Sequence, residues 1–121
     1  MDQAYRVLVI DDSPMVFKAV KRAIEPEGFQ VVDQAFNGQE GLEKIDLLKP
    51  DLIILDVTMP IMDGIETAEA LFQKNPDAKV IMLSAMGDEE LTSKAKQIGI
   101  KIFLTKPFKP EELLKNIRSI L

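Results

Sequence analysis

The 121 residues include no cysteine and no histidine. The first absence excludes disulfides, thiolate nucleophiles and thiolate zinc sites. The second removes imidazole as a general base, a metal ligand or a phosphoryl carrier. Acid, base and metal chemistry must then come from carboxylates, hydroxyls and lysines. A metal held by such groups is a hard, oxygen-seeking cation such as Mg²⁺. Nor is there a dense run of lysine or arginine, and with a formal net charge of −5 the chain is poorly suited to grip a phosphate backbone, so direct nucleic-acid binding is not expected. No apolar run approaches the length needed to cross a bilayer, and the polar start Met1-Asp2-Gln3-Ala4-Tyr5-Arg6 enters the first apolar run at once. A cytoplasmic protein without membrane contact is the expectation.

What is present suits one core. With 46% hydrophobic residues and no linker, repeat or low-complexity stretch, residues 1–121 are expected to form a single domain. Four short apolar runs end in charged or hydroxyl residues: Val7-Leu8-Val9-Ile10 before Asp11-Asp12, Leu52-Ile53-Ile54-Leu55 before Asp56, Val80-Ile81-Met82-Leu83 before Ser84, and Ile102-Phe103-Leu104-Thr105 before Lys106. Each reads as a parallel strand buried on both faces. A less apolar strand is predicted over Phe29 to Ala35.

Helical periodicity fills the gaps. The first helix opens at Ser13-Pro14, carries Val16, Phe17, Val20 and Ile24 inward and ends at Gly28. Asn37-Gly38 reads as a turn and Gly41 to Leu48 as a helix burying Leu42, Ile45 and Leu48, closed by Lys49-Pro50-Asp51. A third helix presents Ile65, Ala68, Leu71 and Phe72, and a fourth runs from Asp88 to Ile98 with Gly99 beyond it. The fifth opens at Pro110 with Leu113, Leu114, Ile117 and Leu121 inward. The fold class is α/β: a doubly wound five-stranded parallel sheet, order 2-1-3-4-5, flanked by five helices as in flavodoxin-like folds.

That order sets the topological switch beside Asp11, Asp12 and Asp56, where open sheets bind ligands. Three carboxylates there repel one another by about 4 kcal/mol per pair at about 4 Å and an effective dielectric near 20, unless one is protonated or a cation neutralises them. Mg²⁺ fits two carboxylates, a backbone carbonyl from the loop after Asp56, and waters. Asp56 is the candidate nucleophile, Lys106 the charge that meets an incoming phosphoryl group, and Ser84 a hydrogen-bond donor to the product. Taken singly, Asp11 and Asp12 read equally as helix caps, Ser84 as a strand-end hydroxyl, Lys106 as a solvated lysine and Asp63-Gly64 as a turn. Their coincidence at successive strand ends points to a site. Lys106 must turn back directly after its strand, so its bond to Pro107 is expected to be cis.

Asp11-Asp12, the stretch Asp56-Val57-Thr58-Met59-Pro60-Ile61-Met62-Asp63-Gly64, Ser84-Ala85 and Lys106-Pro107 resemble the receiver domain of two-component response regulators, of the single-domain CheY-like kind. The resemblance spans essentially the whole chain. It implies that a sensor histidine kinase or phosphotransfer protein phosphorylates Asp56, with Asp12, Asp56 and the backbone carbonyl of Thr58 holding Mg²⁺ and Asp11 assisting, partly through water. It further implies that Lys106 pairs with the phosphoryl group and that Ser84 moves toward it and draws Phe103 inward. The face made by the fourth helix, fifth strand and fifth helix then signals to a downstream target or output domain. Such a chain is a phosphoacceptor rather than an enzyme.

Two positions depart from that family's best-known pattern. Phe103 stands where tyrosine is common and has no hydroxyl, so packing must carry the switch. Met86 replaces a polar or charged residue, which implies slow hydrolysis of the acyl phosphate. Two other classes fit less well. Haloacid-dehalogenase-type phosphatases need a second acid two residues after the nucleophile, which neither Asp56-Val57-Thr58 nor Asp11-Asp12-Ser13 supplies. In a flavodoxin-type module, Asp11-Asp12 would repel the flavin phosphate.

Overall fold

The computed structural model describes residues 4–121, so the first part of the expected entry into the first strand, residues 1–3, lies outside it. Five strands, β1 (Tyr5–Ile10), β2 (Phe29–Ala35), β3 (Leu52–Asp56), β4 (Val80–Ser84) and β5 (Ile102–Thr105), alternate with five helices: α1 (Pro14–Ile24), α2 (Gly38–Leu48), α3 (Gly64–Lys74), α4 (Glu89–Ile98) and α5 (Pro110–Ile120). The strands lie in the order β2-β1-β3-β4-β5, every neighbour parallel. This is the doubly wound sheet expected from the sequence.

Strand alternation divides the core into two layers. Val7, Val9, Leu52, Ile54, Ile81 and Leu83 pack under α1 and α5, against Val20, Ile24, Leu113 and Ile117. Leu8, Ile10, Ile53, Leu55 and Met82 face the other way, against Ile65, Ala68 and Leu71 of α3 and Ala95 of α4. With both faces covered, every residue of β3 and β4 is buried, which is why those runs are apolar without interruption.

Several element ends differ from expectation, among them α4, which begins at Glu89 with Asp88 as its N-cap. Helix α1 stops at Ile24, and a 3-10 turn (Glu25–Glu27) follows before Gly28, at φ 95°, ends the segment. Pro26 has no N–H to continue the α-helical ladder, and its ring crowds the preceding turn. Helix α2 begins at Gly38 rather than Gly41, because the Asn37 side chain accepts the Glu40 amide at 2.9 Å and so acts as a cap, not as part of a free turn. At the end of α5, Leu121 is 51% exposed, and Ile120 packs on the core instead. The Lys106-Pro107 bond is cis, as expected.

All five strands point their carboxyl ends at one edge of the sheet. The helices run back, so Ile120 lines a small hollow with Val80, the first residue of β4, at the opposite edge.

Candidate functional site

Asp11 and Asp12 follow β1, Asp56 and Ser84 end β3 and β4, and Lys106 follows β5, so the fold brings all five to the same edge. Ligand oxygens of Asp11, Asp12 and Asp56 lie within 4.8 Å of one another. Asp11 is fully buried and Asp56 is 4% exposed, whereas Asp12 is exposed. The Lys106 ammonium donates to Asp56 Oδ1 at 3.2 Å and stands 3.5 Å from Asp11 Oδ2, an ion-pair distance rather than a hydrogen bond. Asp11 Oδ1 accepts the Ser13 amide at 2.9 Å, while buried Oδ2 has no hydrogen-bond partner.

Capping belongs to a different residue than Asp11 or Asp12. The Ser13 hydroxyl accepts the Val16 amide at 3.2 Å and starts α1, which frees both aspartates from that duty. Burial first, then the Asp11 charge, pushes the Asp56 carboxyl up to about 6 against the pull of Lys106. Burial, helped by the Asp12 charge, also raises Asp11 against the Ser13 amide and Lys106. For Lys106 burial acts downward, but Asp11 and Asp56 outweigh it and hold the ammonium above its ordinary range.

The loop after Asp56 is tightly drawn. The Val57 amide donates to the Leu83 carbonyl at 3.0 Å, and the Gly64 amide returns to the Val57 carbonyl at 2.9 Å. A Cβ on Gly64 would sit 2.7 Å from Val57 Cα and closer still to the Asp56 carbonyl, so only glycine closes this loop. Asp63 and Glu66 then form a reciprocal capping box for α3, so Asp63-Gly64 is a helix start rather than a simple turn. Exposed Thr58 lies on the loop directly after Asp56, so its backbone carbonyl is drawn from the segment leaving the acidic cluster. Within the loop the Met62 amide bonds to the Pro60 carbonyl at 2.7 Å, a γ-turn centred on Ile61 at φ 70°.

Ser84 is 6% exposed and its carbonyl accepts the Lys106 amide at 2.7 Å, which pins the lysine-bearing loop to β4. Ser84, Met86, Lys96 and half-buried Phe103 line one cavity of about 250 Å³. The Lys96 ammonium lies 5.6 Å from the centre of the Phe103 ring. Met86 is 89% exposed, so it does not cover the acidic cluster. A larger hollow of about 600 Å³ lies at the opposite edge of the sheet, between α2 and α3. Here charge, not volume, marks the site.

Gln34 is a contributor that the sequence reading passed over. Its buried amide donates to the Asp11 carbonyl at 2.9 Å and the Ser13 carbonyl at 3.3 Å, fixing the loop that carries the first acids. A polar residue beside Ala35 at the inner end of a strand was the available signal. Asp88, which accepts the Ala85 amide at 2.8 Å, gave no such signal.

The donor set fits a hard divalent cation. Three carboxylates against one ammonium leave about two negative charges, and buried Asp11 Oδ2 accepts no hydrogen bond. No helix among the described residues is long and apolar enough to cross a membrane.

Comparison with known proteins agrees with this geometry. The family model for the response regulator receiver domain matches residues 7–118. The chain is 42% identical over 119 residues to the chemotaxis protein CheY of Treponema pallidum (97% of this chain, 83% of that one). It is 38% identical over 118 residues to CheY of Bacillus subtilis, covering 98% of both. A chain in the crystal structure of the CheX-CheY-BeF3-Mg complex from Borrelia burgdorferi superposes with a TM-score of 0.88 at 34% identity, covering 96% of this chain and 88% of that one. The phosphatase and flavodoxin alternatives drop out, and regulation rather than enzymatic turnover is the family's role. The acids, hydroxyl and lysine gathered at the strand ends, on a sheet of order 2-1-3-4-5, belong to a member of the response regulator receiver domain family.

Proposed function

We propose that this chain is a phosphorylation-controlled regulator of the cytoplasm. In this reading a sensor histidine kinase or phosphotransfer protein supplies the phosphoryl group, and a downstream protein or output domain reads the result. The observation that carries it is the buried Asp11 oxygen that no hydrogen bond satisfies, within the three-carboxylate cluster and beside a lysine hydrogen-bonded to Asp56.

Asp12, Asp56 and the Thr58 carbonyl would hold Mg²⁺, with Asp11 assisting. The bound cation would supply charge neutralisation for an anionic donor and for the transferring oxygens. A carboxylate oxygen of Asp56 attacks phosphorus, the bond to the donor imidazole nitrogen breaks, and that nitrogen leaves as neutral imidazole after a proton balance with solvent. Lys106 shifts from Asp56 to the new phosphoryl oxygens, and the Ser84 hydroxyl donates to them. The movement of Ser84 opens the shared cavity to Phe103, and the α4, β5 and α5 face changes shape. Phe103 has no hydroxyl, so ring packing and the Lys96 ammonium set its position.

Acetyl phosphate tests the reading. With Mg²⁺ present, intact mass should rise by one phosphoryl group, and the increase should vanish with chelator or in Asp56→Asn. Modification of Asp56→Asn at the native rate, or indifference to chelator, would overturn it.

A further inference from the structure

Ala85 and Asp88 are joined twice across the turn that leads from β4 into α4. The Leu83 carbonyl accepts the Val57 amide, toward β3, and the Ser84 carbonyl accepts the Lys106 amide, toward β5. Successive strand residues aim their backbone groups at opposite neighbours, so the ladder directs the next amide, Ala85 N–H, to the β3 side, where Asp56 ends its strand. That amide donates instead to Asp88 Oδ2 at 2.8 Å, and the Asp88 amide returns to the Ala85 carbonyl at 3.2 Å.

Asp88 is also the N-cap of α4, and it leaves that task undone. The caps of α1, α2 and α3 each accept the amide three residues on, whereas Asp88 makes no side-chain cap bond. One of the best capping residues therefore spends its carboxylate upstream. Two arrangements compete for it: the observed bond to Ala85, and a cap on the first turn of α4. Gly87 between them, at φ 96° with open space around it, leaves the segment free to exchange one for the other.

We propose that Asp88 is a positioning residue that withholds the Ala85 amide from a phosphoryl group on Asp56 and, on release, caps α4. The proposal rests on the phosphoacceptor reading above. A phosphoryl oxygen beside Ser84 is a charged acceptor that competes for that amide, and its charge repels the Asp88 carboxylate. Asp88 lines the same cavity as Ser84 and Phe103, so its departure alters the pocket that the ring must enter. The arriving group thereby tightens the start of α4 without touching that helix.

Beryllium trifluoride with Mg²⁺, a tetrahedral stand-in for the phosphoryl group, is the probe. Affinity should rise about threefold to tenfold in Asp88→Ala, which frees the amide, and less in Asp88→Asn, whose Oδ1 still accepts it without charge. Mg²⁺ affinity without beryllium, read by calorimetry, should be unchanged in both, which separates this role from general support of the site. In the native chain the Leu91 amide should exchange more slowly by NMR once the probe binds, a readout that needs no variant. Native binding at Asp56 with equal or weaker affinity in Asp88→Ala, or with Leu91 exchange unaltered, overturns the proposal alone. A native chain that neither binds the probe nor reacts with acetyl phosphate overturns the phosphoacceptor reading, and this inference with it.

Discussion

Met86 shows how much a single side chain can determine about the lifetime of the modified state. It stands two residues after Ser84, is 89% exposed, and carries neither a proton donor nor a strong acceptor, so it can orient no water for attack on phosphorus. General-base assistance is worth about 10² to 10⁴ in rate when fully realised. Met86→Glu should therefore shorten the lifetime of phosphorylated protein several-fold, measured as decay after the donor is removed. An equal or longer lifetime would place control elsewhere. At this scale the sequence was informative where chemistry and position coincided: Asp56, Ser84 and Lys106 each terminate an apolar run, and the structure sets each at the same edge. It was silent where function lies in a choice of partner. Nothing in the letters says that Asp88 bonds upstream to Ala85 rather than capping α4.

Among the elements, the segment from β3 to α3 is closely held at its end, because the Gly64 amide closes onto Val57 with no room for a Cβ. Gly64→Ala forces backbone apart directly beside Asp56, and overpacking of this kind costs about 1 to 3 kcal/mol. The variant should unfold at lower urea and phosphorylate more slowly than native protein even where it is fully folded. Native kinetics in a folded Gly64→Ala chain would show that the loop adapts. Asn37→Ala should cost about 1 kcal/mol through loss of the α2 cap, measured the same way, and leave phosphorylation unaltered. Asn-Gly is a turn signal in isolation, and the Asn37 cap together with the docking of the Gly38 amide on the Met62 carbonyl makes it a helix start. Pro26 was legible as a breaker, but the short 3-10 turn that absorbs it depends on tertiary fit.

For the whole molecule, the acidic edge makes stability depend on pH in a definite direction. A carboxyl raised in the folded state contributes fully below its unfolded value, and that contribution is lost as pH rises through the folded value. For Asp56, raised to about 6, metal-free stability should fall as pH climbs from about 4 to about 6, by about 3 kcal/mol if the shift is fully expressed. Asp56→Asn should flatten this slope and exceed native stability at pH 7 without metal. Above pH 6, Mg²⁺ at a hundred times its dissociation constant should restore about 2.7 kcal/mol in the native chain and much less in the variant, by thermal or urea unfolding. A metal-free stability that rises over the same pH interval would refute the balance of burial over Lys106. The sheet order followed from the alternation of apolar runs and helical stretches, because strands covered on both faces leave few arrangements. The same sheet separates the ends of the chain from its chemistry. Ile120 shares a hollow with the first residue of β4, and Tyr5 pairs with the first residue of β2, each about 15 Å along the strands from the acidic edge. A fluorescent protein or a tether joined at Leu121 would therefore hang beneath the sheet, leaving Asp56 as open to a bulky donor as in the unfused chain.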